Sequence, residues 1–284
     1  MTRLKPIVYL GPEGTFSDMA VDAYLAKTQS KCSKKPVHGF AEVFKFFVER
    51  EHVFAMVPIE NSTEGVVGVC MDQLIALNKV HILLELYLPV THALMAKKKI
   101  DIGKINSILS HPQPLAQCQQ FLQQYCSHAR CRAEMSTADA AKHLVECELA
   151  EDVAIVGPKE LAIRYELNVL AEDIQDMKNN QTRFFLLGKE AVSREAESYK
   201  TSIIVATDKN VPGSLYHLLS FFNRYGLNLT RIESRPFKKQ MGEYVFCIDF
   251  DGHILDEKVS ECLGLVKNSV LFYKFLGSYS RIVL

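Results

Sequence analysis

Short apolar runs alternate with stretches of helical period over the first 190 residues of this chain, and that alternation most narrows what it can become. Ile7–Leu10, Val53–Val57, Ile105–Leu109, Val153–Val156, Val169–Ala171 and Phe184–Leu187 read as strands. Leu115, Cys118, Leu122 and Tyr125 keep near-helical spacing after Pro114, and Thr137–Glu146 is rich in alanine. Buried strands joined through helices predict an α/β domain with a largely parallel sheet.

The pattern breaks at Gly188–Lys200, which is charged and has no apolar face, so a linker is expected there. Beyond it, Thr201–Thr207 reads as a strand. Pro212-Gly213 opens a helix with Leu215, Leu218, Leu219 and Phe222 on one face, and Gly226 stands where a helix-ending glycine would. Leu227–Glu233 and Tyr244–Phe250 read as strands separated by a turn at Lys238–Gly242. Val259, Cys262, Leu263 and Val266 mark a second helix, and Val270–Leu276 a last strand. The order βαββαβ predicts a ferredoxin-like domain.

Composition excludes several functions. Lys+Arg and Asp+Glu both number 33, so neither a nucleic-acid surface nor a polybasic membrane tail is expected. No apolar run reaches the ~18 residues of a membrane span. Met1–Pro6 leads directly into Ile7–Leu10 without a signal-peptide core, and a cytoplasmic location is expected. The eight cysteines form no C-x-x-C pair, and Cys126, His128 and Cys131 lack a second ligand pair. Free thiols and no metal are expected.

Ligands of open α/β sheets bind where strands hand over to helix N-termini. Five such joints are polar. Gly11–Ser17 offers two glycines for close backbone approach, with Thr15 or Ser17 as a cap. Pro58–Gly65 gathers Glu60, Asn61, Ser62 and Thr63. Ser110-His111-Pro112-Gln113-Pro114 ends a strand and starts a helix, and Ser136–Ala141 reads as a helix cap with Asp139 in the first turn. Asn179–Phe184 carries Arg183 into an apolar strand, which demands an anionic partner, either a ligand or a structural carboxylate. No nucleophile triad or dinucleotide fingerprint occurs. Hydroxyls, amides, one arginine and helix N-termini suit a small polyanion with a leaving hydroxyl.

Gly11–Ser17, Pro58–Gly65 and Ser110-His111-Pro112-Gln113, with Ile174-Gln175-Asp176 and Asn180-Gln181-Thr182-Arg183-Phe184, resemble the prephenate dehydratases in order and separation. Pro212-Gly213-Ser214-Leu215, Asn228-Leu229-Thr230, Glu233-Ser234-Arg235-Pro236 and Leu276-Gly277-Ser278-Tyr279 resemble the ACT domain that those enzymes carry. The resemblance implies a two-lobed, periplasmic-binding-protein-like catalytic domain over residues 1–190, with lobe crossovers near 80–90 and 165–175, and an ACT domain over 200–284. It implies cofactor-free conversion of prephenate to phenylpyruvate, with arogenate dehydratase as a neighbouring activity and a non-enzymatic binding protein as a remote one. The catalytic residues implied are Thr182, Arg183, Phe184, Glu60 and His111. Arg183 would hold the substrate's side-chain carboxylate, and Glu60, His111 or water would assist Thr182. Gly14, Thr15, Asn61, Ser62, Thr63, Ser110 and Gln113 would bind substrate. Phenylalanine, as effector, would sit between the ACT domains of a homodimer or homotetramer, near Gly213, Ser214, Leu215, Asn228, Leu229, Glu233, Ser234 and Arg235. Two departures are visible: Ser214 replaces the family's usual alanine, and Val156-Gly157-Pro158 replaces an Ala-Ser turn. No helical chorismate mutase segment precedes the first strand, so the monofunctional form is expected.

Overall fold

The computed structural model describes residues 4–146, 151–191, 194, 196, 198–207, 211–237 and 244–284. The turn expected at Lys238–Gly242 lies outside these residues, as does Cys147.

The first lobe opens with β1 (Lys5–Leu10), α1 (Phe16–Thr28), β2 (Cys32–Val37), α2 (Phe40–Glu49), β3 (Phe54–Asn61), β4 (Gly65–Val66), α3 (Gly68–Ala76) and β5 (His81–Pro89). β1 lies between β3 and the edge strand β2, and its Ile7, Val8 and Tyr9 are fully buried between layers. α2 buries Val43, Phe44 and Phe47 along one face. The second lobe contains β6 (Ala93–Ala96), β7 (Ser107–Ser110), α4 (Pro112–Gln117), α5 (Gln119–Tyr125), β8 (Arg130–Ala133), α6 (Thr137–Glu146), β9 (Val153–Gly157), α7 (Glu160–Tyr165) and β10 (Asn168–Ala171). The chain then returns to the first lobe as β11 (Gln181–Gly188), between β5 and β3.

The sheets are mixed rather than largely parallel. β1 runs parallel to β2 and β3, but β11 is antiparallel to both β3 and β5. In the second lobe β7 is parallel to β8 and β9, whereas β6 is antiparallel to β9 and β10. The antiparallel strands are those that follow a crossing: β6 enters the second lobe after Val90–His92, and β11 returns to the first. Strands β2, β5, β6 and β8 are not among those predicted from the sequence. β2 and β8 are polar and half-exposed. β5 reads as one long apolar run with Glu85 in it, which periodicity cannot assign.

The C-terminal domain is β12 (Lys200–Thr207), α8 (Ser214–Arg224), β13 (Leu229–Pro236), β14 (Tyr244–Asp251), α9 (Glu257–Ser269) and β15 (Val270–Val283), the expected βαββαβ order. Gly226, at φ 62°, ends α8 as a left-handed residue. The four strands lie in the order β13-β14-β12-β15.

β15 does not stop at the domain edge. Its first part pairs with β12, and Ser280–Val283 pairs in parallel with Leu84–Tyr87 of β5. The two domains therefore share one continuous sheet. Gly277 marks the crossing: its φ is 141°, and a Cβ there would stand 2.6 Å from the Ile82 carbonyl oxygen. Gly277→Ala is expected to cost about 1–3 kcal/mol of stability or more, from backbone strain alone. Urea denaturation would measure it, and an unchanged midpoint would refute this account of the glycine.

Candidate active site

A cleft of about 730 Å³ lies between the lobes, within the range that encloses small ligands. Its apolar walls are Leu10, Phe16, Phe40, Val66, Val90, Met135 and Phe184. Its polar groups include Thr15, Asn61, Gln113, Gln117, Ser136, Thr137, Thr182 and the imidazoles of His38, His92 and His111. Among the described residues, no lysine or arginine lines it.

Positive potential comes instead from the backbone. The N-terminal residues of α1, α2 and α6 and the Val67 cap of α3 line the cleft, and helix starts present N–H groups and about half a positive charge; at α4, which also lines it, Pro112 and Pro114 carry no N–H and the Gln113 amide is taken by His111. Thr15 caps α1, its Oγ1 accepting from the Asp18 amide at 3.4 Å. Ser136 caps α6: its Oγ accepts from the Asp139 amide at 2.9 Å and donates to the Asp139 carboxylate at 2.7 Å. The cap expected there is present, and it also forms cleft wall.

Thr182 sits at the start of β11, directly opposite Asn61 of β3. Asn61 Oδ1 accepts from the backbone amides of Thr63 (3.0 Å) and Glu64 (3.1 Å) and from Thr63 Oγ1 (2.6 Å). Those donors fix the amide, so its Nδ2 must face Thr182 Oγ1, to which it donates at 2.9 Å. The Thr182 oxygen is thereby occupied as an acceptor. Among the described residues, its hydroxyl hydrogen has no protein acceptor. A hydroxyl held this way, on the cleft wall, is poised to donate to a ligand oxygen.

Arg183 is elsewhere. Successive side chains of a strand point to opposite faces, so with Thr182 and Phe184 on the cleft, Arg183 projects behind it. There it is 2% exposed. Its Nε donates to Glu85 at 2.8 Å, its Nη1 to Asp249 at 2.8 Å and Glu60 at 3.2 Å, and its Nη2 to the Tyr279 hydroxyl at 3.2 Å. Desolvation opposes the charged form, but Asp249 and Glu85 more than compensate and drive the guanidinium's pKa upward. The role implied for Arg183 on a substrate carboxylate is therefore corrected: its anionic partners are structural. Glu60 is corrected for the same reason. It faces Arg183 and Arg231, with Arg231 Nε at 2.9 Å, and cannot assist Thr182.

Three other implied contacts also move. Ser110 is fully buried, and its hydroxyl donates to the Val156 carbonyl at 2.6 Å, which ties β7 to β9. Ser62 straps the entry to β11, donating to Asn180 Oδ1 at 3.1 Å and accepting from the Gln181 amide at 2.9 Å. Gly14 lies where the lobes touch, with the position of its missing Cβ 2.9 Å from Leu161 Cδ2. Its amide donates to the buried Asp18. Burial pushes the Asp18 pKa up, but hydrogen bonds from Lys34 and Tyr9 outweigh it and hold the carboxyl below its ordinary value. Thr63 acts through Asn61, as described. His111 does line the cleft: its Nδ1 accepts the Gln113 amide at 3.2 Å, which leaves Nε2 as the protonated, donating nitrogen.

Sequence reading missed His92 and Gln117. His92 enters from the crossover after β5, and its Nε2 meets Gln117 Oε1 at 3.0 Å. Burial lowers its pKa, so it is a neutral imidazole, packed edge-on against Phe16. The backbone amide of His92 is held by Gln175, from the Ile174-Gln175-Asp176 segment. Nothing local in Thr91-His92-Ala93 distinguishes it from a core histidine. Among the described residues, no cluster of His, Cys, Asp or Glu is arranged to hold a metal ion.

In the C-terminal domain, Arg235 and Glu233 share the inward face of β13, and Arg235 Nη2 pairs with Asp72 of α3 at 2.9 Å. Arg235 thus braces the first lobe. The Gly213–Leu215 turn and the Asn228-Leu229 turn stand at opposite ends of α8, whose 11 residues span ~16 Å. One copy of the chain does not bring them together.

Fold and cleft define a two-lobed α/β scaffold of the periplasmic-binding-protein kind with an appended ACT domain. The prephenate dehydratase family model matches residues 7–192. A prephenate dehydratase of Methanocaldococcus jannaschii is 37% identical, covering 97% of this chain and 98% of that one. The crystal structure of a prephenate dehydratase from Arthrobacter aurescens in complex with L-Phe is 32% identical with a TM-score of 0.87, over 97% of this chain and 90% of that one. Arogenate dehydratase 2 of Petunia hybrida is 33% identical, over 98% of this chain and 72% of that one. The chain belongs to the prephenate dehydratase family.

Proposed function

We infer that the chain catalyses the decarboxylating dehydration of prephenate to phenylpyruvate, with residues 1–190 as the catalytic unit and residues 200–284 as the phenylalanine-sensing unit. The observation that carries this reading is the Asn61–Thr182 pair, which presents a hydroxyl hydrogen to a cleft ringed by helix N-termini. The ring carboxylate leaves as carbon dioxide, and its bonding pair enters the ring. The C4–O bond breaks with its pair on oxygen, and that oxygen takes up one proton to leave as water. The ring becomes aromatic, and the reaction needs no electron carrier.

Thr182 donates a hydrogen bond to the departing oxygen. A threonine hydroxyl is too weak an acid to supply the proton itself, so a neighbour or water must replenish it. Of the two helpers that the sequence suggests, only His111 shares the cleft, and its Nε2–H makes it the candidate. The carboxylates are received by backbone N–H groups at helix starts rather than by a cation. That arrangement holds an anion without neutralising it by a single tight pair, which suits a carboxylate that must depart as a neutral molecule.

Arogenate is the second reading. It carries an ammonium in place of the keto oxygen, and Glu64 lines the cleft with only a long 3.4 Å contact from Gln117. Purified protein, assayed on both substrates without added metal, is expected to release phenylpyruvate and carbon dioxide one-to-one from prephenate. Phenylalanine as the dominant product, from arogenate, would transfer the assignment to that substrate; turnover of neither would end it.

The effector site is inferred to form between two copies of the chain. Packing of ACT domains about a two-fold axis would set Gly213, Ser214 and Leu215 of one protomer against Asn228 and Leu229 of its partner, as their separation in a single chain requires. A cytoplasmic, cofactor-free homo-oligomer is the form this reading takes.

A further inference from the structure

Two cross-strand pairs stand back to back on β3 and β11. In the register of these strands Thr182 faces Asn61, and Arg183 faces Glu60. The Thr182–Asn61 pair points into the cleft, and the Arg183–Glu60 pair points into the ACT domain. No side chain intervenes, because each pair shares its backbone with the other. Any shift of Arg183 along or across the strand is therefore a shift of Thr182.

Every ACT strand reaches this rear pair or a residue bonded to it. β12 supplies Lys200, 2.9 Å from Glu85, and Ser202, which donates to Asp249 at 2.5 Å. β13 supplies Arg231 on Glu60, β14 supplies Asp249 on Arg183, and β15 supplies Tyr279, whose hydroxyl meets both Arg183 and Ser202. Three cations (Arg183, Lys200, Arg231) balance three carboxylates (Glu60, Glu85, Asp249), all partly or wholly removed from water. In such a setting charges tolerate few arrangements, since displacing one strands another.

We propose that Asp249, acting through Arg183, is a positioning residue that sets where Thr182 stands in the cleft, and that this contact carries the effector's signal from the ACT domain to the reaction. The proposal rests on the dehydratase reading above and on phenylalanine as the effector. Asp249 touches no cleft residue other than through Arg183. The parallel pairing of Ser280–Val283 with β5 gives the ACT domain a second grip on the strand next to β11, so the domain cannot rotate without loading the same place.

Asp249→Asn tests it. The amide keeps the shape, and its oxygen can still accept from Arg183 while its NH2 donates to Ser202, so the hydrogen bonds are kept while the charge is removed; a lowered melting midpoint is expected, and rates are compared on protein shown to be folded. Turnover without effector is expected to fall in kcat with KM changed far less, because Thr182 loses the position that Asp249 sets through Arg183. Binding of phenylalanine, read by calorimetry, is expected to persist. The rate ratio with and without phenylalanine, of the 5–150-fold size usual for coupled sites, is expected to fall below about 2-fold. Tyr279→Phe, which removes one hydroxyl from the same contact, should weaken the response in the same direction and guards against misfolding of the first variant. An unaltered rate ratio in both variants overturns the proposal. So does loss of phenylalanine binding together with the response, which would put Asp249 in the effector pocket. A parent protein that turns over no substrate would remove the underlying reading instead, and is scored separately.

Discussion

Thr182→Val is expected to lower kcat on prephenate by ~10²–10⁴-fold, the range for losing a positioned proton-transfer contact, with KM changed far less. Valine replaces the hydroxyl with a methyl group of similar volume, so packing on the 9% exposed site is kept. Two consequences follow. The departing oxygen loses its donor, and Asn61 Nδ2 loses its 2.9 Å acceptor, keeping only the 3.3 Å contact to the Gln181 carbonyl. Thr182→Ser retains the hydroxyl and should restore most of the rate. Asn61→Asp offers an acceptor where Thr182 now meets a donor, so it turns the hydroxyl hydrogen away from the cleft and should resemble the valine variant. Phenylpyruvate release under saturating substrate is the measurement. If Thr182→Val keeps most of its turnover with an unchanged melting profile, the hydroxyl is not the group that meets the leaving oxygen.

Arg183→Leu is expected to cost about 3–5 kcal/mol of folding stability, since removing one member of a buried charge cluster leaves the others uncompensated. Here Glu85, Glu60 and Asp249 would face one another, with only Lys200 and Arg231 remaining. Arg183→Lys should fall between, because an ammonium lacks the planar fork that now meets Glu85 through Nε and Nη2 and Asp249 through Nη1. The test separates two roles cleanly. An arginine on the substrate's carboxylate would raise KM and leave the denaturation midpoint alone; a structural hub lowers the midpoint. A leucine variant as stable as the parent, with a large rise in KM, would return Arg183 to the cleft.

Much of the molecule was legible in the chain. The apolar spacing of Val259, Cys262, Leu263 and Val266 predicted a helix with one buried face, and all four are buried in α9. Helix caps were equally local: Thr15 and Ser136 each accept an amide hydrogen bond three residues on, which their residue types alone suggest. The polar joints that converge on the cleft were found for the same reason, since strand-to-helix turns of this class place N–H groups at one edge of a sheet.

What local pattern could not supply was the direction of a side chain. Thr182-Arg183-Phe184 is adjacent in sequence and split between two faces in space, and the same holds for Glu60 and Asn61. Strand periodicity says that neighbours diverge; it does not say which neighbour meets the cleft. Ser110 reads as a site hydroxyl until β9 brings the Val156 carbonyl beneath it. His92 reads as core until Gln117 and Phe16 arrive from other elements.

By itself, then, the amino-acid sequence determined the class of each domain, the positions of the turns and caps, and the residue types brought to the cleft, because those depend on periodicity and on contacts a few residues apart. Only the tertiary structure decided that Thr182 points forward and Arg183 back, and that the ACT domain is stitched into the catalytic sheet behind them. That choice is set by register: β11 is inserted between β3 and β5, strands more than 90 residues earlier in the chain, and a slip of one residue in that pairing would exchange the two faces.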